Sequence, residues 1–147
     1  MNNKAFTLIE SLLVLMIASL VLSLSPRVGT ASQEFAFALF LDDLLTEIHT
    51  AQSYAVISGK SVVFEVLRPV NARHYATFTA AATSEAYVNR KLFLPQGSKV
   101  IQGYSSYIKS GSGYLQPDSI IMDTARYRYT IKIQLGSGRY VVEKVKK

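Results

Sequence analysis

The N-terminal apolar run, which contains a single carboxylate, is the feature that most constrains this chain. Phe6 to Leu24 is 19 residues long, and Glu10 is its only charged residue. As an α-helix at about 1.5 Å per residue the run spans about 28 Å, close to the roughly 30 Å hydrocarbon core of a bilayer. A charge inside such a span costs about 2.5–3.5 kcal/mol on insertion scales, so Glu10 is a candidate functional residue that needs a partner.

Length and composition limit the rest of the chain. The chain has 147 residues, and the part after the run is large enough for one small domain but not for two. It has no cysteine, which excludes a disulfide framework, a thiol nucleophile and a thiolate metal site. Lys4 and Glu10 cancel, so the net charge of +6 lies in the part after Pro26. This excess suits an anionic neighbour such as nucleic acid, lipid headgroups or wall polymers, or simply a well-solvated surface.

The run differs from an ordinary secretory signal. A signal peptide has an apolar core of about 7–15 residues followed by a small-x-small cleavage site. Here the apolar run is longer, it has a carboxylate near its start, and it offers no clean cleavage site of that kind. A plain membrane anchor is the simpler alternative, but it does not explain Glu10.

Residues 4–13, Lys-Ala-Phe-Thr-Leu-Ile-Glu-Ser-Leu-Leu, resemble the leader and N-terminal helix of type IV pilins and pseudopilins. The resemblance implies that a prepilin peptidase cuts between Ala5 and Phe6 on the cytoplasmic face and that the new N-terminal Phe6 is methylated. Glu10 then becomes the fifth mature residue. Ala5 stands where the family mostly has glycine, but a small side chain is kept, so cleavage is still expected.

The resemblance also implies a partner for Glu10, namely the N-terminal ammonium of a neighbouring subunit in the filament core. In a medium of low dielectric constant such a pair is strong only if both charges are present and well oriented. An unpaired Glu10 stays costly or takes up a proton. The charge therefore penalises the lone subunit, favours the docked one and sets the axial register, as a buried polar residue does in a coiled coil.

A second helical segment comes after Pro26, which should kink or break the first helix. It is expected to resume around residues 30–32 and to end at Ser58, before Gly59. One face should pack on a sheet and carries Phe37, Leu41, Leu44, Ile48, Ala51 and Ala55. The opposite side carries Asp42, Asp43, Glu47 and Gln52. Three large residues lie off the stripe and would be exposed in a lone domain: Phe35, Phe40 and Leu45. They are expected to be covered either by wrapping loops or by neighbouring subunits in a filament.

After Gly59 the apolar period changes to that of strands. The clearest pattern is the alternation over 127–135, which a Gly-Ser-Gly turn joins to a returning strand over 139–145. A hairpin over 61–67 and 75–79 is also expected, with short strands at 91–94, 100–101 and 120–122. Residues 80–90 are predicted to form a loop, and residues 105–116, rich in Ser, Gly and Tyr, a flexible loop.

The pilin resemblance therefore implies an α+β fold, in which a long N-terminal helix, first transmembrane and then amphipathic, packs on a small antiparallel sheet. The expected divisions are a leader at 1–5, an assembly helix at 6–25, an amphipathic helix at 26–59 and a sheet domain at 60–147. Residues 44–58 resemble the helix end of minor pseudopilins of the secretion-system H type and of the competence ComGD type. Residues 129–139 resemble the terminal hairpin of the competence type.

Catalytic or metal chemistry finds no support in the sequence. His49 and His74 are the only histidines, and neither has carboxylates around it at ligand spacing. Asp42 and Asp43 are adjacent on a helix, so they point about 100° apart and form a solvated face rather than a pair. We therefore expect no enzyme activity, no cofactor and no metal.

Tyrosines and basic residues form two groups that would suit stacking and phosphate contacts with DNA. One group is expected in a single loop and the other in the last hairpin. The alternative is that these tyrosines fill or rim a small sheet. The groups are Tyr104, Tyr107, Lys109 and Tyr114, and Arg126, Tyr127, Arg128, Tyr129, Arg139 and Tyr140.

The function expected from the resemblance is that of a minor pseudopilin in a competence pseudopilus, which supports DNA uptake across the cell envelope. Its partners would be other major and minor pseudopilins, prepilin peptidase and membrane lipid, with an assembly ATPase and a platform protein acting indirectly and DNA as a further candidate. The subunit would cross the cell membrane once, with its C-terminal domain outside, and reach the surface on assembly. The alternatives are a pseudopilin of a secretion pseudopilus and a single-pass anchored binding domain without a filament.

Overall fold

The computed structural model describes residues 8–23, 28–70, 72–80, 87–134 and 139–147, with the backbone alone for 28–31. These residues form an α+β arrangement of two helices followed by strands in two antiparallel sheets. The elements are α1 (Leu8–Ser23), α2 (Val28–Ser58), β1 (Val62–Leu67), β2 (Tyr75–Ala80), β3 (Arg90–Phe93), β4 (Lys99–Gln102), β5 (Tyr104–Ile108), β6 (Ser119–Asp123), β7 (Tyr127–Ile133) and β8 (Tyr140–Lys146).

The chain divides into two compact units, Met1–Ala31 and Ser32–Lys147. The first contains α1, none of whose residues is buried. The second contains most of α2 and all the described strands, and it holds the hydrophobic core. The finer division of the chain at residues 5, 25 and 59 stays a prediction.

Helix α2 ends where the sequence indicates. Its last residue is Ser58, and Gly59 comes next with φ of 67°, a left-handed conformation that glycine adopts without steric cost. The helix begins at Val28, slightly earlier than expected. Pro26 lies outside the described residues, so the kink there stays a prediction.

The buried face of α2 is close to the predicted one, but it differs around Phe40 and Leu41. Five of the six predicted residues are buried, whereas Leu41 is only partly buried. The expectation that Phe40 is exposed is wrong, because its ring packs 5.9 Å from that of Phe37 and it is only 6% exposed. Leu45 is also partly buried against the core, while Phe35 is exposed as expected. The stripe is therefore wider than predicted, because Phe40 and Leu45 also pack against the core.

The strands form two four-stranded sheets instead of the single small sheet that the sequence predicts. The first, sheet A, has the order β3-β2-β1-β5, and the second, sheet B, has the order β4-β6-β7-β8. The predicted hairpins β1–β2 and β7–β8 are both present and antiparallel. The turn at 136–138 and most of the predicted loop at 80–90 lie outside the described residues.

The prediction of a flexible loop over 105–116 is partly wrong, because the first third of this segment, residues 105–108, belongs to β5. This strand pairs with β1 across Val62–Val66, and its end residues Tyr104 and Ile108 are buried. Its serines give no strand signal, so pairing with an existing strand decides its conformation more than local propensity does.

Gly103 joins β4 of sheet B to β5 of sheet A at a point where the backbone comes very close to β1. A Cβ atom at this position would lie 2.5 Å from the carbonyl oxygen of Val66. Only glycine fits such an approach, so this residue allows the chain to pass from one sheet to the other.

One hydrophobic cluster joins α2 to both sheets. The Phe64 and Phe78 rings of sheet A stack with centroids 4.7 Å apart, and Phe37 of α2 lies 4.6 Å from the ring of Tyr129 in sheet B. The second unit is therefore a single domain in which a helix packs on antiparallel sheets.

Candidate assembly site

Glu10 lies in the first turn of α1, and its side chain is exposed. The large apolar residues of α1, from Leu8 to Leu22, are each at least half exposed. A helix that is apolar all round is stable only when other apolar material surrounds it. In α1 this apolar surface surrounds one carboxylate.

The serines near the end of α1 are satisfied within the helix. Ser19 Oγ donates to the carbonyl oxygen of Met16 at 2.9 Å, and Ser23 Oγ donates to that of Ser19 at 2.8 Å. Such internal bonds lower the cost of placing hydroxyl groups in an apolar environment. Glu10 is the one charged residue of α1, so it carries the largest cost in an apolar environment unless a partner outside the helix pairs with it.

In the described part of the chain, no helix is both long enough and apolar enough to cross a membrane.

Three of the four predicted site residues, Ala5, Phe6 and Pro26, fall outside the described residues. Cleavage between Ala5 and Phe6, methylation of Phe6 and the kink at Pro26 therefore stay predictions, as does the pairing of Glu10 with a neighbouring subunit.

Glu34, near the start of the second unit, ties α2 to the turn between β6 and β7. Its Oε1 accepts hydrogen bonds from Thr124 Oγ1 at 2.6 Å and from the backbone N–H of Arg126 at 3.3 Å. Tyr129 Oη lies 3.5 Å from its Oε2. No sequence pattern indicated this contact, since its partners are about ninety residues away.

Asp123, at the end of β6, is a buried carboxylate held by two cations. Arg128 donates to both of its oxygens, at 2.8 and 3.1 Å, and Lys147 Nζ lies 3.0 Å from Oδ2. The hydrogen bonds from Arg128, against the opposing effect of burial, lower the pKa of Asp123 to about 2. The same pairing raises the pKa of Arg128. Asp123, Arg128 and Lys147 are all paired within this cluster, which therefore stabilises the β6–β7 hairpin.

Both histidines have partners within the domain. His49 Nε2 lies 2.8 Å from the hydroxyl of Tyr140, and His74 Nδ1 accepts a 2.6 Å hydrogen bond from the backbone N–H of Val100. Each ring therefore links two separate segments of the domain. Over the described ranges, no three residues of the types that bind metals lie together.

Several residues of the two groups proposed for DNA contact are engaged elsewhere. Tyr104 and Tyr129 are each 5% exposed, so neither ring offers a face to a base. Arg128 pairs with Asp123, and Lys144 Nζ lies 4.0 Å from the ring centre of Tyr127. Tyr107 is 66% exposed, but it belongs to β5 rather than to the predicted loop. The sheet-filling alternative thus describes the buried tyrosines.

Comparison with known families finds a match at the N-terminus. Residues 1–25 match the family described as "Prokaryotic N-terminal methylation motif", a signal of type IV pilins and pseudopilins. This match supports a pilin-like structural protein and implies processing by prepilin peptidase, assembly with other pilins and anchoring in a membrane. Neither the curated proteins nor the solved structures include a significant match to this chain.

Proposed function

We propose that this chain is a minor pseudopilin, a structural subunit of a competence pseudopilus that supports DNA uptake across the cell envelope. The observation that carries the pilin-like part is the methylation motif over residues 1–25, within which Glu10 is the one charge of an exposed apolar helix. The competence part is supported by the resemblance of the β7–β8 hairpin to that of competence pseudopilins.

In this proposal the chain matures in the membrane. Prepilin peptidase removes residues 1–5, and Phe6 becomes a methylated N-terminus. Residues 6–25 then span the membrane once and hold the subunit in the filament. The amphipathic helix at 26–59 and the sheet domain at 60–147 face the outside. An assembly ATPase and a platform protein extract the subunit into a surface pseudopilus with other pseudopilins.

Glu10 provides the free energy that favours assembly over the isolated subunit. The charge is costly in a lone membrane helix, and the ammonium of a neighbouring mature Phe6 relieves this cost. Removing one partner of a buried pair leaves the other charge uncompensated, at a cost of about 3–5 kcal/mol. Since about 1.4 kcal/mol is a factor of ten, incorporation into the filament should fall by roughly a hundredfold to a few thousandfold without Glu10.

Substitutions at Glu10 test this role directly. Glu10→Gln keeps the shape and removes the charge, and Glu10→Asp keeps the charge on a shorter side chain. We expect Glu10→Gln to be absent from sheared filaments on immunoblots while remaining in the membrane, and Glu10→Asp to retain part of the assembly. Ser11→Ala is the matched control and should assemble as the native chain does. Normal assembly of Glu10→Gln would overturn the proposed pairing.

A deletion strain separates the candidate functions. Loss of transformation with normal secretion is the result expected for a competence pseudopilin. Loss of secretion with normal transformation would favour the secretion pseudopilus, which the resemblance of residues 44–58 to the H type also allows. If both processes are normal and the subunit never co-assembles with pseudopilins, the chain is a single-pass anchored domain.

A further inference from the structure

Strand β8 forms an open edge of sheet B. It is the last strand in the order β4-β6-β7-β8 and pairs with β7 across seven consecutive residues without a register shift. The three other outer strands of the two sheets are shorter, with four residues in β3, four in β4 and five in β5. Its sequence, YVVEKVK, contains no proline to block further pairing. Strand β8 is therefore the longest open edge in the described part of the domain.

The hydrogen-bond register shows which backbone groups face outward. The backbone N–H of Gln134 donates to the carbonyl oxygen of Arg139 at 2.8 Å. The backbone N–H of Lys147 donates to the carbonyl oxygen of Arg126 at 3.0 Å. Because bonded and non-bonded pairs alternate in an antiparallel ladder, the odd-numbered residues of β8 bond to β7. The even-numbered residues present their N–H and C=O groups to the open side, and they are Tyr140, Val142, Lys144 and Lys146.

The charged side chains along this edge are mainly basic. Lys144 and Lys146 are exposed, and Arg139 precedes the strand, whereas Lys147, just after it, is already paired with Asp123. The one acid, Glu143, is already paired with Lys132 of β7 at 2.6 Å. Lysines on an edge discourage pairing with another basic edge, including that of a second copy of this chain. The same charges favour an acidic strand.

We propose that β8 binds an extended acidic segment of a partner protein, which adds to sheet B as a fifth strand. Main-chain hydrogen bonds to the four outward residues supply affinity, and alternate side chains supply specificity. Acidic residues of the segment would lie opposite Lys144 and Lys146. Apolar residues would lie opposite Val141 and Val145, which are 41% and 59% exposed on the other face of the strand. The inference does not depend on filament assembly through Glu10.

A designed peptide tests the proposal on the full chain in neutral detergent micelles. The capped peptide EVETVVF, aligned antiparallel, places its two glutamates opposite Lys146 and Lys144 and its valines opposite the apolar residues of β8. At saturating peptide, hydrogen exchange followed by NMR should slow by about tenfold or more at the outward amides. The amides of Val141, Glu143 and Val145 should change little, because they already bond to β7. The proposal would be overturned if exchange slowed equally at the outward amides and at the amides that bond to β7, or if it slowed at neither.

Two controls separate strand addition from general charge attraction. A peptide N-methylated at its third residue keeps its charges but cannot donate to Lys144, and it should bind about fivefold more weakly. Lys146→Glu should weaken binding by a similar factor, whereas Lys109→Glu, an equal charge change at an exposed lysine just after β5, should leave it unchanged. Binding that is insensitive to N-methylation, or equally weakened by both substitutions, would show only charge attraction and would contradict the proposal.

Discussion

Asp123 should make the free energy of unfolding fall at acid pH. Its pKa is about 2 in the folded chain against 3.8 for the ordinary carboxyl group, so the folded state favours the charged form. The resulting stability is fully present above about pH 4 and is lost as the pH falls through about 2. At about 1.4 kcal/mol per pKa unit, it amounts to about 2 kcal/mol.

The measurement is the free energy of unfolding of the native chain and of Asp123→Asn between about pH 5 and about pH 2. The native chain should lose about 2 kcal/mol more than the variant over this interval. Identical pH profiles would show that Asp123 titrates normally and that its pairing with Arg128 does not favour the charged form.

Gly103 is the second residue with a sharp expected effect. Gly103→Ala places a methyl group 2.5 Å from the carbonyl oxygen of Val66, which belongs to a central strand and cannot move freely. We expect a loss of about 2–4 kcal/mol of folding free energy, measured by denaturant unfolding. Gly59→Ala has open space around the new methyl group and only its left-handed φ to oppose it, so it should cost about 1–2 kcal/mol. A smaller loss for Gly103→Ala than for Gly59→Ala would contradict this account.

Some residue contacts can be derived from the sequence and others cannot. The strands on either side of the contact between Asp123 and Arg128 are both predicted by the apolar pattern, and their pairing in the structure sets these two residues opposite each other. The contact between Glu34 and Thr124 has no such basis, since it joins a helix to a turn far along the chain. Local pairings can be derived from periodicity, whereas long-range polar contacts depend on how the elements pack.

At the scale of elements, α2 gives the clearest test of packing. Phe40 is 6% exposed and Phe35 is 66% exposed in the same helix. Phe40→Ala should lose about 3–5 kcal/mol of folding free energy, because it leaves a cavity next to Phe37. Phe35→Ala should change stability by at most about 0.5 kcal/mol in the isolated chain. Thermal or urea unfolding measures both variants, and equal losses would show that the helix face is misassigned.

The elements that the sequence predicts best are those with a long uniform period. The helix stripe and the alternation of β7 each span several repeats, so their faces and ends could be placed closely. Strand β5 could not be predicted, because its Ser and Tyr residues indicate a loop and only pairing with β1 makes it a strand. The split into two sheets is also missed by periodicity, since it depends on the close passage at Gly103.

At the scale of the whole molecule, the two units carry different chemistry. The first presents an apolar helix with one acidic side chain, whereas the second is a packed domain whose long open edge is basic. The pilin-like account explains the first unit by neighbouring subunits that surround the helix and supply an ammonium. Its central claim is therefore that Phe6, and not Met1, becomes the N-terminus of the working protein.

Mass spectrometry of the native protein, purified from cells that contain an active prepilin peptidase, tests this claim most directly. The account predicts an N-terminal peptide that begins at Phe6 and carries one additional methyl group, and an uncleaved chain in cells that lack the peptidase. A chain that keeps residues 1–5 in both kinds of cell would contradict the account.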